Sequence, residues 1–292
     1  MIARAFITDD RKLQPFWRAV IFFVLGNYVL GLIWASTLPP VMKALRIPTD
    51  LSPGAIAFAE FITFLTALIC TAVMAAYEKR RIDSYGLPID RAFSRNTWEG
   101  MATGVVMAGA VALGMLAFGG MQIHGLATTG PALMWAAVAW LVANVCVGVA
   151  EEFWYRSYFL QTLWKAFGFW PGAIIVALIF AADHYFFKTG ENVWDVITLV
   201  SLSLLMSYSV LRSGTLWFAV GFHIAFDYMQ LFIIGTPNGS QIPVGRMLDV
   251  TFHGPAWLTG GVLGTEASFL MYPEIALLWI FVHYRYRGRL QP

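Results

Sequence analysis

Residues Val142–Trp164 read VANVCVGVAEEFWYRSYFLQTLW. Glu151, Glu152 and Arg156 are the only formally charged side chains in this stretch, and nearly everything around them is apolar. An ionised side chain at a bilayer centre costs about 2.5–3.5 kcal/mol on insertion scales, so such residues face a partner or a wet cavity. Three of them within six positions mark a built feature. On a helix, Glu152 and Arg156 are i,i+4 neighbours that share a face and pair. Glu151 then points about 100° away from Glu152, free to meet something else.

The flanking sequence makes this helix one of many. The chain has 292 residues, 59% hydrophobic and only 12% charged, where soluble domains carry about 25% charged residues. Mean hydropathy is +0.66. Several apolar runs reach the roughly 20 residues that a membrane helix needs. The alternation of a transmembrane β-barrel is absent. The expected fold is all-α: a polytopic transmembrane helical bundle of about eight spans around an intramembrane cavity. A single integral membrane domain is expected over residues 1–292, with a catalytic core at about 131–235.

The expected helices are Pro15–Thr37, ended by Pro39-Pro40, then Pro53–Tyr77 and Trp98–Gly119. The long helix Pro131–Lys165 carries the charged motif, and Pro171–Phe187, Val193–Leu211, Thr215–Ile234 and Leu263–Tyr284 follow. MQIHGLATTG and the Gly/Pro-rich stretch TPNGSQIPVGRMLDVTFHGPAWLTGG read as loops. The polar opening MIARAFITDDRKLQP carries no cleavable signal pattern, so the first span is expected to be retained.

Eight spans place both termini on one side of the bilayer. That side holds Arg4, Arg11, Lys12, Arg18, Lys79, Arg80, Arg81, Arg91, Arg95, Lys165, Arg212, Arg285, Arg287 and Arg289. The other holds Lys43, Arg46, Lys188 and Arg246. The positive-inside rule therefore puts both termini in the cytoplasm. Because the basic residues flank spans instead of forming a patch, no nucleic-acid partner is expected. Cys70 and Cys146, both within apolar helices, exclude a disulfide framework and a CxxC metal pattern.

Two further helices carry polar groups to a similar depth. Glu151 lies 14 residues before Lys165, about 21 Å from that end of its helix. His184 is 13 residues past Pro171, about 20 Å in. Asp227 is 13 residues past Gly214, also about 20 Å, with His223 at about 14 Å. His223 and Asp227 are i,i+4, as are Phe180 and His184, so each pair shares a face.

A carboxylate near neutral histidines can deprotonate a water, and a second histidine can stabilise a developing oxyanion. A divalent metal such as zinc, held by Glu151, His184 and His223 with an open position for water, is an equally open reading. HExxH is absent. Both the metal-free and the metal-bound mechanism stay open at this level.

With the three motifs together, the chain resembles the CPBP family of intramembrane proteases. That family includes type II CAAX prenyl proteases, lysostaphin resistance protein A-like proteins and bacteriocin-immunity (Abi) proteins. Its pattern EExxxR, FxxxH, HxxxN/D reads here as Glu151-Glu152-xxx-Arg156, Phe180-xxx-His184 and His223-xxx-Asp227. The resemblance implies a membrane endopeptidase in a bacterial plasma membrane, acting on a peptide or lipidated protein. It implies Glu151 as water activator with His184 as its partner, and His223 with Asp227 for the oxyanion or a metal. Glu152 and Arg156 resemble the structural pair that orients the first glutamate. The prenyl-processing members typically carry Asn where Asp227 stands, which sets a CAAX substrate apart from the general peptidase reading. LTGGVLGTEAS around Glu266 resembles a trailing segment of bacterial members.

Other polar residues have plainer expectations. Asp183 is expected to point off the site, and Phe180 to pack. Glu60 and Glu274, inside the second and eighth spans, could line the cavity, but the leading expectation is that they pair locally or sit near an interface. His124, His253 and His283 lie in loops or at span ends. Two other functions compete with the protease. Buried Glu, His and Asp also mark a transporter or proton relay, although no inverted repeat is visible. The third is a non-catalytic immunity or scaffold protein.

Overall fold

The computed structural model describes residues 6–8 and 12–286. Among them, eight helical spans are long and apolar enough to cross a membrane. They are α1 (Pro15–Leu45), α2 (Pro53–Glu78), α3 (Arg95–Ala117), α4 (Gly130–Phe167), α5 (Phe169–Phe187), α6 (Val193–Ser213), α7 (Trp217–Ile234) and an eighth span, Gly261–Arg285, whose regular helix is α8 (Met271–Arg285). The all-α polytopic bundle expected from the sequence is the observed fold. Of the residues behind the topology reading, Arg4, Arg11, Arg287 and Arg289 lie outside the described residues.

Local signals explain most of the boundaries. Ser52 caps α2, with Pro53 at the first helical position, where a missing N–H is harmless. Asn192 caps α6 by accepting from the backbone N–H groups of Trp194 and Asp195. Gly214 ends α6 in the left-handed conformation at φ 85°.

Three differences from the sequence expectation matter. α1 does not stop at Thr37 but runs through Pro39 and Pro40 to Leu45. Proline's fixed φ is compatible with a helix, so the chain continues past the two missing N–H donors. Two expected loops instead form a small antiparallel sheet, β1 (Met121–Leu126) on β2 (Leu248–Phe252). Its signal was present in Leu248-Asp249-Val250-Thr251-Phe252, which alternates apolar and polar residues. The last helix begins at Met271, not Leu263, because Gly261–Ala267 is a 3₁₀ stretch broken at Gly264.

Regular α-geometry gives way to π-turns in three spans: Leu25–Leu30 in α1, Tyr155–Phe159 in α4 and Tyr228–Ile234 in α7. Such turns cluster at functional sites because they rotate the residues that follow. In α4 the turn holds Arg156, and Ser157 within it has non-helical φ/ψ of −81° and −107°.

α7 is the buried centre of the bundle, with fully covered Phe218, Ala219 and Val220. It lies backbone to backbone against α3. A Cβ on Gly100 would stand 2.1 Å from the Phe218 carbonyl oxygen, and one on Gly221 would stand 2.1 Å from that of Thr97. Without a hydrophobic drive between helices in lipid, such close approach supplies the dispersion contact that holds them. The packing sets the depth and rotation of α7, and with them the placement of His223 and Asp227.

Substituting Gly100→Val should therefore push α3 from α7. The expected loss is about 1–3 kcal/mol, the usual range for overpacking. A lowered melting temperature of the detergent-purified protein would register it, and an unchanged melt would contradict this packing.

Candidate active site

Seven residues singled out by the sequence line one cavity of about 270 Å³. α4 brings Glu151, Glu152 and Arg156; α5 brings Phe180 and His184; α7 brings His223 and Asp227. The similar depths inferred from helix rise are realised as a shared space.

Glu152 and Arg156 are each about 1% exposed and pair at 2.8 Å. Arg156 spends its second terminal nitrogen on the Ser203 hydroxyl of α6, at 2.8 Å. Its guanidinium lies over the Phe180 ring at 5.3 Å, a cation–π placement. Phe180 thus packs, as expected, and what it packs is the buried cation on one side and the His184 ring at 4.4 Å on the other.

The same Glu152 oxygen that takes Arg156 also meets His223 Nδ1, at 3.1 Å. A carboxylate paired with arginine only accepts, so Nδ1 carries the proton in this bond. That orients the ring and turns Nε2 toward two further carboxylates. Glu151 Oε2 is 3.8 Å from Nε2 and Asp227 Oδ2 is 3.5 Å away. The ion pair of α4 therefore reaches the imidazole of α7. Glu151 Oε2 is buried and has no hydrogen-bond partner among the described residues.

His184 is oriented by its own helix. Its Nδ1 faces the Phe180 carbonyl oxygen at 2.9 Å. A carbonyl only accepts, so Nδ1 is the protonated nitrogen and Nε2 is left for another partner. His184 and Glu151 also line a second cavity of about 510 Å³, between α1, α2, α4 and α5.

Among the described residues, no group of three His, Cys, Asp or Glu side chains is arranged to hold a metal ion. Glu151, His184 and His223 line one cavity without converging as a ligand set, so the zinc reading does not fit this arrangement.

Several cavity residues escaped sequence reasoning. Glu60 of α2 was expected to pair locally or near an interface. Instead it lines both cavities, and its Oε2 is buried without a hydrogen-bond partner. Its signal was simply an acid in an apolar span. Ser203 offered none, being one of many serines in α6. Lys188, at the end of α5, pairs with Glu266, and both line the cavity. The LTGGVLGTEAS segment thereby gains a structural place. Asp183 accepts the Tyr155 hydroxyl at 2.6 Å and lines the second cavity together with Glu151 and His184. Glu274 sits in the first turn of α8 and lines neither cavity. His124 and His253 share the Thr251 hydroxyl on the small sheet, and His283 pairs with Tyr208.

Residues 133–229 match the family model described as Rce1-like, type II CAAX prenyl endopeptidase Rce1-like. The matched segment contains all three motifs, and it supports the assignment to the CPBP, or CAAX protease, family made from them. No curated protein and no solved structure gave a significant match. The chain is an integral membrane protein whose core is similar to that of a membrane endopeptidase family.

Removing one member of a buried ion pair leaves the other charge uncompensated, at a cost of about 3–5 kcal/mol. Arg156→Leu should therefore cut the yield of folded protein and lower its melting temperature by fluorescence-detected size exclusion. A melt equal to wild type would show that Glu152 does not depend on Arg156.

Proposed function

We propose that the protein is an intramembrane endopeptidase that hydrolyses a peptide bond of a membrane-anchored or membrane-presented protein. The observation that carries this reading is Glu151: a half-buried carboxylate whose buried Oε2 has no hydrogen-bond partner among the described residues, facing an oriented imidazole inside a cavity lined by three motif helices. Such a carboxylate is suited to take a proton from water, and its low-dielectric surroundings strengthen each interaction it makes.

In this reading Glu151 removes a proton from a water that then attacks the scissile carbonyl carbon. His184 presents Nε2 to the same cavity and helps to hold that water. Glu152 holds the Nδ1 proton of His223. A second proton on Nε2, steadied by Asp227, makes the ring a donor to the oxygen on which negative charge develops. Glu152 and Arg156 act through His223 and do not touch the substrate. The whole of residues 1–292 acts as one membrane domain with its core at 131–235. It sits in a bacterial plasma membrane with both termini cytoplasmic, and its partners are the bilayer and a peptide or lipidated protein.

Glu151→Gln keeps the shape but removes the base. It should lower kcat by a factor of about 100 or more, the usual worth of general-base catalysis, with an unchanged melting temperature. Cleavage of a membrane-presented reporter peptide in proteoliposomes reads this out, and undiminished turnover would overturn the mechanism. Ion flux without cleavage would favour the transporter or proton relay. Retention of biological function by Glu151→Gln would favour the immunity or scaffold reading.

Asp227→Asn keeps an acceptor oxygen and adds donors. Its activity should stay within roughly tenfold of wild type, the effect of altering about one hydrogen bond. Steady-state kinetics of the purified variant check this. A complete loss would mean that the charge of Asp227 is itself required.

A further inference from the structure

Glu60 stands on α2, outside the three motif helices and outside the segment that matches the family. It lines the cavity that holds His223 and Asp227 as well as the second cavity beyond Glu151. It interacts electrostatically with Glu151, His223 and Asp227. Its Oε2 is shielded from solvent and bonded to nothing among the described residues. Among the described residues lining that cavity, the basic groups are engaged elsewhere: Arg156 by Glu152, Lys188 by Glu266, and His223 by Glu152 and Asp227. A further negative charge beside Glu151 and Asp227 would be repelled and poorly solvated. The uncharged carboxylic acid is the form that this position accommodates.

We infer that Glu60 is the general acid that protonates the leaving amine. This rests on the endopeptidase reading. Glu60 on α2 and Glu151 on α4 stand on packed helices and line the same cavity, so one peptide bond held there comes within reach of both carboxyl groups. The steps balance. Water gives its proton to Glu151 as its oxygen bonds to the carbonyl carbon. When the tetrahedral intermediate collapses, the carbonyl re-forms, the C–N bond breaks and the nitrogen takes the Glu60 proton. One fragment leaves with a new carboxyl group and the other with a new amine. Glu151, now protonated, returns its proton to the Glu60 carboxylate and the site is reset.

Two measurements test the role. Infrared spectroscopy of the purified full-length protein at neutral pH should show a neutral-carboxyl C=O band that disappears in Glu60→Gln and persists in Asp183→Asn. A spectrum unaltered by Glu60→Gln overturns the proposal whatever the substrate. The second measurement compares the membrane-presented reporter peptide that the wild-type protein is tested on with a counterpart whose scissile amide is a nitrophenyl ester. Glu60→Gln should lower kcat for the amide about 100-fold, with KM within about threefold. The ester, whose leaving group needs no proton, should be affected less than about threefold.

Equal losses on amide and ester, or a lowered melting temperature that accounts for them, would make Glu60 structural and overturn the role. An unimpaired amide rate would overturn it alone, leaving the endopeptidase intact. Wild-type protein that cleaves neither substrate would overturn this role together with the reading on which it rests.

Discussion

The Glu152–Arg156 ion pair is the interaction on which the rest of the site depends. Both groups are withdrawn from water, and a buried pair is tolerated only when its remaining donors and acceptors are used. Here the surplus valences reach outward. Arg156 takes Ser203 on α6 and lies over Phe180 on α5, while Glu152 takes His223 on α7. Four helices are thereby tied to one pair of charges. The π-turn at Tyr155–Phe159 is where Arg156 leaves regular helical geometry.

The ring of His223 inherits its orientation from that pair. With Nδ1 committed to Glu152, its chemistry is confined to Nε2, which faces Glu151 and Asp227. The backbone contact of α7 with α3 complements this constraint. Glycines at Gly100 and Gly221 let the two helices meet at main-chain distance, so α7 has little freedom to slide. Precision at the imidazole thus has two sources, a polar one in the cavity and a steric one behind it. Lys188 and Glu266 close another side of the space, joining the end of α5 to the segment before α8.

Much of this was legible in the sequence. Hydropathy placed eight spans because a bilayer demands long apolar helices with internally satisfied backbones. The three motifs stood out because charge is rare in such helices. What escaped was of another kind. Pro39-Pro40 looked like a stop, but proline's helix-compatible φ lets α1 continue about two turns past Thr37, to Leu45. Ser203 carries no charge to betray it and matters only through the guanidinium beside it. Glu60 looked like an isolated acid, because nothing along the chain tells which face of α2 turns toward α4.

The sequence by itself determined the class of protein, the spans, and the seven residues of the three motifs, since each follows from composition or from spacing along one helix. Only the tertiary structure decided which groups meet. It joined the α4 ion pair to the α7 imidazole, left Glu151 Oε2 without a hydrogen-bond partner among the described residues, and turned Glu60 into the same cavity. The physical reason is that helical periodicity fixes neighbours three and four residues apart, whereas the rotation of one helix against another is set by packing. That packing depends on where glycines allow contact and where π-turns shift the register.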